Sequence, residues 1–154
     1  QYRNVIPNFI FWALSGLPLP FTGSGGETRD FTYVADIVDA LLRAGYYERA
    51  IGQEMNIASG RETNILAMAE LINELTGNKA GIVRAEHRVW DTKKRLLACV
   101  DRANELIGYR PRMEFEEGLR ITIRWFRDNW ESIRRDAEFP PGMSSAVRGV
   151  AAGH

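Results

Sequence analysis

The chain has 154 residues, enough for one domain and short for two. Hydrophobic residues at 45%, charged residues at 26% and a formal net charge of zero describe a globular chain with its own core. They exclude the basic surplus of a general nucleic-acid surface, and no apolar run approaches the ~20 residues that cross a bilayer.

From Val5 to Leu14, apolar residues at 5, 6, 9, 10, 13 and 14 predict a helix. Asn4 is its expected N-cap, Pro7 lies in the first turn, and Gly16 stands past the end. "PLPFT" is expected as a short strand and "DFTYV" (Asp30–Val34) as a second, rich in aromatic and β-branched residues. "DIVDALLRA" (36–44) follows as a helix closed by Gly45, and "EMNIA" (54–58) as a third strand. Thr63 is expected to cap the helix "NILAMAELINELT", which Gly77 ends. "AGIVRAE" predicts a fourth strand, and residues 87–98 carry charge without a clean period. Asp101 is expected to cap the short helix "RANELI", stopped by Gly108. A last helix from about Phe115 to Arg134 should bury Leu119, Ile123, Phe126, Trp130 and Ile133. Residues 1–135 are thus expected as one domain, with 136–154 a disordered tail. Interleaved helices and short strands make the class α/β.

"FTGSGGETRDF" places Gly23, Gly25 and Gly26 between two expected strands. A dinucleotide fingerprint needs a third glycine at position 28 and a helix after it. Thr28 stands there and a strand is expected next, so the glycines are read as turn residues. Arg29 leads into that strand, where it is either held by a rigid element or exposed at a strand edge. All but three of the 20 basic residues are Arg (Lys79, Lys93 and Lys94 are the exceptions), which suits an anion site; a codon bias would give the same count. A single cysteine, Cys99, excludes an intrachain disulfide and fits a reducing cytoplasm.

Three blocks in order resemble the C-terminal portion of the NAD-dependent nucleotide-sugar epimerase/dehydratase family, the extended short-chain dehydrogenases typified by UDP-glucose 4-epimerase. They are "NVIPNFI…ALSGLPLPFTGSGGETRDFTYVADIVDALL", "EMNIASGRETNILAMAELINELTG" and "RVWDTKKRLLACVDRANELIGYRPRMEFEEGLRITIRWFRDNW", together about residues 2 to 133. The resemblance implies a small substrate-binding subdomain with the Rossmann half absent. It implies that Arg29 and Arg88 hold the pyrophosphate of a UDP-sugar and that Asp91 accepts from the ribose hydroxyls. Asn4 and Val5 would lie near the uracil, whose edge would pair with the backbone of Pro20, Phe21 and Thr22. Asp91 beside Lys93 and Lys94 can also be a solvated charge, and His87 matches no family role.

The family's catalytic pair is a Tyr four residues before a Lys, and none of Tyr2, Tyr33, Tyr46, Tyr47 or Tyr109 has that partner. The resemblance therefore implies an enzyme whose NAD site and hydride chemistry lie in the missing Rossmann half, with this chain inactive alone and binding no NAD. No metal ligand set is expected. The start, without Met and close to a helix, suggests a piece of something longer. An epimerase is expected; a 4,6-dehydratase or decarboxylase of the same family, a non-catalytic nucleotide-sugar-binding module, and a self-associating fragment are the alternatives.

Overall fold

A computed structural model describes residues 4–85 and 93–136. Helix α1 (Val5–Leu14) has the expected bounds and buries Phe9, Ile10, Trp12 and Ala13. Strand β1 (Leu19–Phe21) leads through the glycine loop to β2 (Thr28–Arg29), and α2 (Val34–Tyr46) follows. A 3-10 turn (Glu48–Ala50) precedes β3 (Thr63–Asn64), which runs directly into α3 (Ile65–Thr76). Strand β4 (Ile82–Arg84), α4 (Asp101–Ile107), α5 (Phe115–Asp128) and α6 (Trp130–Asp136) complete the order.

Two small sheets hold the loops together. Strand β1 pairs parallel with β4, Leu19 opposite Ile82 and Phe21 opposite Arg84. Strand β2 pairs antiparallel with β3, Thr28 opposite Asn64 and Arg29 opposite Thr63. The main core lies between α1, α3 and α5, where Ile10, Met68, Ile72, Leu119 and Ile123 interlock with Leu19. A smaller core joins α2 to α4 through Ala40, Ala103, Ile107 and Tyr109. Val100 takes the N-cap position expected of Asp101, which is instead the first residue of α4, and Gly108 closes that helix in the left-handed conformation, at φ 65°.

Several expectations need correction. No strand forms over Asp30–Val34; β2 lies just upstream at Thr28–Arg29 and ends there, because its partner has only Thr63 and Asn64 before α3 begins. Phe31 instead packs on Phe115, with ring centroids 5.6 Å apart, and α2 starts early at Val34 and passes through Gly45. Glu54–Ala58 pairs with no strand among the described residues; it packs Met55 and Ile57 onto the smaller core. The last helix breaks at Asn129, whose side-chain amide donates to the Trp125 carbonyl at 2.9 Å, so α5 and α6 are separate. At the caps, Asn64 rather than Thr63 accepts from the Ala67 amide, at 2.9 Å, and Asn4 holds the N-cap position without a side-chain bond. Of the tail expected over 136–154, Asp136 ends α6 and the remainder lies outside the described residues.

Candidate functional site

Strand β1 presents one occupied edge and one open edge. The Leu19 amide donates to the Gly81 carbonyl at 3.0 Å and the Ala85 amide to the Phe21 carbonyl at 2.8 Å, so residues 19 and 21 face β4. Alternation along a parallel ladder turns the Pro20 carbonyl and the Thr22 backbone to the other side. No strand among the described residues pairs with that side. An acceptor and a donor in line on a strand edge match the donor and acceptor groups of a nucleobase edge or another strand. Phe21 is buried and fixes the strand from beneath, while Pro20 and Thr22 are half-buried.

The loop from Gly23 to Glu27 does hold an anion, and it is the chain's own. The Glu27 carboxylate accepts from the Ser24 amide at 2.8 Å, the Ser24 hydroxyl at 2.9 Å and the Gly25 amide at 3.0 Å. The Ser24 amide is the largest of the effects that hold its pKa down to about 2, well under the usual carboxylate value. Gly25, at φ 104°, provides the left-handed turn that aims these amides inward. With those donors taken and a strand following, the loop does not fit the pyrophosphate of a dinucleotide such as NAD.

Arg29 is half-buried in β2, and its guanidinium donates to the Thr28 carbonyl at 2.8 Å. Its strand is clamped on both sides. Beyond the β3 pairing, the Thr28 amide donates to the Lys94 carbonyl at 2.9 Å and the Leu96 amide to the Thr28 carbonyl at 3.2 Å. Glu62 adds bonds from the Arg95 guanidinium and the Thr28 hydroxyl, each 2.6 Å, which lower its pKa, the Arg95 bond most. Arg29 is therefore held by a rigid element. Arg88 and Asp91, like His87, lie outside the described residues.

Asn4 is exposed and Val5 half-buried at the start of α1. Ile6 beside them shares with Phe31, Thr32 and Tyr33 the wall of a cavity of about 280 Å³, floored by Phe115 and Gly118 of α5. The α1 start and the exit of β2 thus border one hollow. Among the described residues no group of three His, Cys, Asp or Glu could hold a metal ion, and no helix is long and apolar enough to cross a membrane.

Two carboxylates that frame the aromatic stretch were not anticipated as ties. Asp30 accepts from the Ser59 amide and hydroxyl at 2.9 and 2.5 Å, the Gly60 amide at 2.9 Å and the Ala98 amide at 3.4 Å. Asp36, buried in the first turn of α2, accepts from the Arg112 and Met113 amides at 3.1 Å each. Both spend a charge on distant backbone, which single-sequence spacing does not reveal. The outward face of α2 carries Val34, Val38, Leu41, Leu42 and Tyr46, with Leu42 71% and Tyr46 82% exposed. The buried side of α2 carries Asp36 and Ala40, so most of the helix's large apolar residues are on its exposed side.

Comparison with known proteins agrees with this frame. An epimerase from Methanothermobacter thermautotrophicus superposes with a TM-score of 0.86 at 51% identity, over 88% of this chain and 40% of that one. The enzyme WbmF of Bordetella bronchiseptica, solved with NAD+ and UDP, superposes with a TM-score of 0.73 at 37% identity, over 86% of this chain and 39% of that one. A curated UDP-N-acetyl-alpha-D-glucosaminuronate decarboxylase of Bacillus cytotoxicus is 36% identical over 133 residues, which are 82% of this chain and 41% of the relative. The chain thus spans about two-fifths of the length of these proteins. The family model for GDP-mannose 4,6 dehydratase matches residues 2–122, and the chain belongs to that family of nucleotide-sugar epimerases and dehydratases.

Proposed function

We propose that this chain is the substrate-binding part of an NAD-dependent nucleotide-sugar epimerase and that it anchors the UDP of the sugar. One observation carries the reading: an open strand edge at Pro20 and Thr22 is joined by a closed loop to Arg29 on a clamped strand. In this reading the nucleobase edge pairs with the backbone of Pro20, Phe21 and Thr22, with Asn4 and Val5 beside the ring. Arg29 and Arg88 neutralise the two phosphates, and Asp91 accepts from the ribose. Rigid anchoring of the diphosphate lets the sugar turn at the reacting end without leaving the enzyme. WbmF, solved with UDP, supports the choice of nucleotide.

NAD, when bound, supplies the hydride acceptor, and its site belongs to the part of the family's length that this chain does not span. The misfit of the glycine loop supports that division, and this chain alone is expected to be catalytically inactive. The apolar outer face of α2 supports a covering partner: the Rossmann half in the whole enzyme, or a second copy when the chain is alone. The cytoplasm is the expected compartment.

A second reading keeps the same anchor in a decarboxylase or 4,6-dehydratase, and the decarboxylase relative supports it as well as the epimerase structure supports the first. Assay of a family-length protein containing this chain on UDP-glucose, dTDP-glucose and UDP-glucuronate separates them. A 4-epimer product supports the first reading; loss of CO2 or water supports the second. For the anchor itself, calorimetric titration of the chain with UDP should give binding that Arg29→Ala weakens by roughly 10- to 150-fold, equivalent to about 1.5–3 kcal/mol for a charged hydrogen bond. Equal affinity in wild type and variant would remove Arg29 from the site.

A further inference from the structure

The loop between Thr22 and Thr28 sets the spacing between the strand edge and Arg29. Its two ends are fixed differently. On the β2 side, the Glu27 carbonyl accepts from the Ile65 amide at 3.0 Å, and Thr28 is bonded to Lys94 and Leu96. In mid-loop, the Asn64 side chain donates to the Gly25 carbonyl at 2.7 Å. On the β1 side, the Arg84 guanidinium reaches the Gly23 carbonyl only at 3.5 Å. What folds the Gly23–Gly25 half back onto β2 is the Glu27 carboxylate, through the Ser24 and Gly25 amides and the Ser24 hydroxyl.

The fit around that carboxylate is close. A Cβ added at Gly23 would stand 2.3 Å from a Glu27 carboxylate oxygen, although Gly23 is not in the left-handed region. A side chain at Gly23 would therefore push the carboxylate from its place. The depressed pKa of Glu27 shows that the ionised form is the one held, so the lock is closed at neutral pH.

We propose that Glu27 is a positioning residue of the nucleotide site: its carboxylate fills the amide nest of the glycine loop and fixes the distance between the Thr22 edge and the Arg29 guanidinium. This rests on the nucleotide reading above. The carboxylate is turned into the loop, onto the Ser24 and Gly25 donors, so its effect falls on ligands that bridge both ends. A rigid spacing removes an ordering cost that UDP would otherwise bear, whereas uridine or pyrophosphate alone engages one end and is indifferent to it.

The test is titration of the whole chain with UDP, uridine and pyrophosphate, for wild type, Glu27→Gln and Gly23→Ala, the last displacing the carboxylate without replacing Glu27. The expected result is a loss of about tenfold for UDP in both variants, with uridine and pyrophosphate unchanged within twofold. Equal losses for all three ligands would make Glu27 merely structural, and unchanged UDP affinity would overturn the proposal. Sodium formate adds a readout independent of UDP. Thermal denaturation of Glu27→Ala should shift upward with formate beyond sodium chloride of equal ionic strength, while wild type does not respond. A wild type that ignores UDP would sink the nucleotide reading and the positioning role with it. In that case formate stabilisation specific to Glu27→Ala still upholds the filled nest, and its absence rejects that too.

Discussion

Asp30→Asn removes one charge and converts one acceptor oxygen into a donor. The carboxylate receives four hydrogen bonds, two from Ser59, one from Gly60 and one from Ala98. An Asn that keeps its oxygen toward Ser59 points its NH2 group at the Gly60 and Ala98 amides, so two donors face a donor. The Ala98 contact is long and Gly60 is exposed, which places each loss at the lower end of the 1.5–3 kcal/mol range for charged hydrogen bonds. The sum is about 3 kcal/mol, or roughly a 10 °C fall in Tm for a domain of this size. Urea denaturation followed by circular dichroism measures it as a lower midpoint at unchanged slope. Ser59→Ala, which loses the hydroxyl bond to Asp30 together with the longer contacts to the Arg61 carbonyl and amide, should cost about 1–2 kcal/mol in the same assay. If Asp30→Asn costs less than about 0.5 kcal/mol, the carboxylate is not tying the 59–60 turn and residue 98 to the loop before α2.

Tyr109 is fully buried and donates to the Ala58 carbonyl at 2.9 Å; burial, ahead of Asp36, Asp30 and Asp39, pushes its pKa up to about 12. Its stabilising contribution is therefore complete below pH ~10 and is lost as pH rises from ~10 toward 12, by up to ~2 kcal/mol. Stability measured at pH 9 and 11.5 should show a smaller drop in Tyr109→Phe than in wild type, and equal drops contradict it. Tyr109→Phe should also cost about 1–2 kcal/mol at pH 7 by leaving the Ala58 carbonyl unpaired. Ile72→Ala, in the middle of the main core, should cost about 2–5 kcal/mol in urea denaturation. On α2, Leu42→Glu should leave the fold intact and reduce self-association in sedimentation velocity; oligomers that persist unchanged would place the contact elsewhere.

The helices were legible because their signals are local. Apolar residues at the spacing of Val5–Leu14 and Ile65–Thr76, and glycines at 77 and 108, suffice to set α1, α3 and the end of α4. The strands were less so, since a strand needs a partner. Phe31 and Tyr33 have strand-like composition, yet β3 offers only two residues to pair with, and Glu54–Ala58 has no neighbour to pair with among the described residues. At the site, the glycines were legible as a turn and not as a phosphate loop. The carboxylate that fills the turn was not, because Glu27 reaches back only once the loop has folded. Asp30 and Asp36 serve backbone amides many residues away, and no spacing rule connects them. Arg29 stood out beside an aromatic run; Arg88 and Asp91 entered only through the family resemblance.

The most direct measurement is a crystal structure of this chain with UDP. It is predicted to show the nucleobase edge on the Pro20–Thr22 backbone and the guanidinium groups of Arg29 and Arg88 each within about 3 Å of a phosphate oxygen. UDP bound elsewhere, or bound there with Arg29 turned away from both phosphates, contradicts the account.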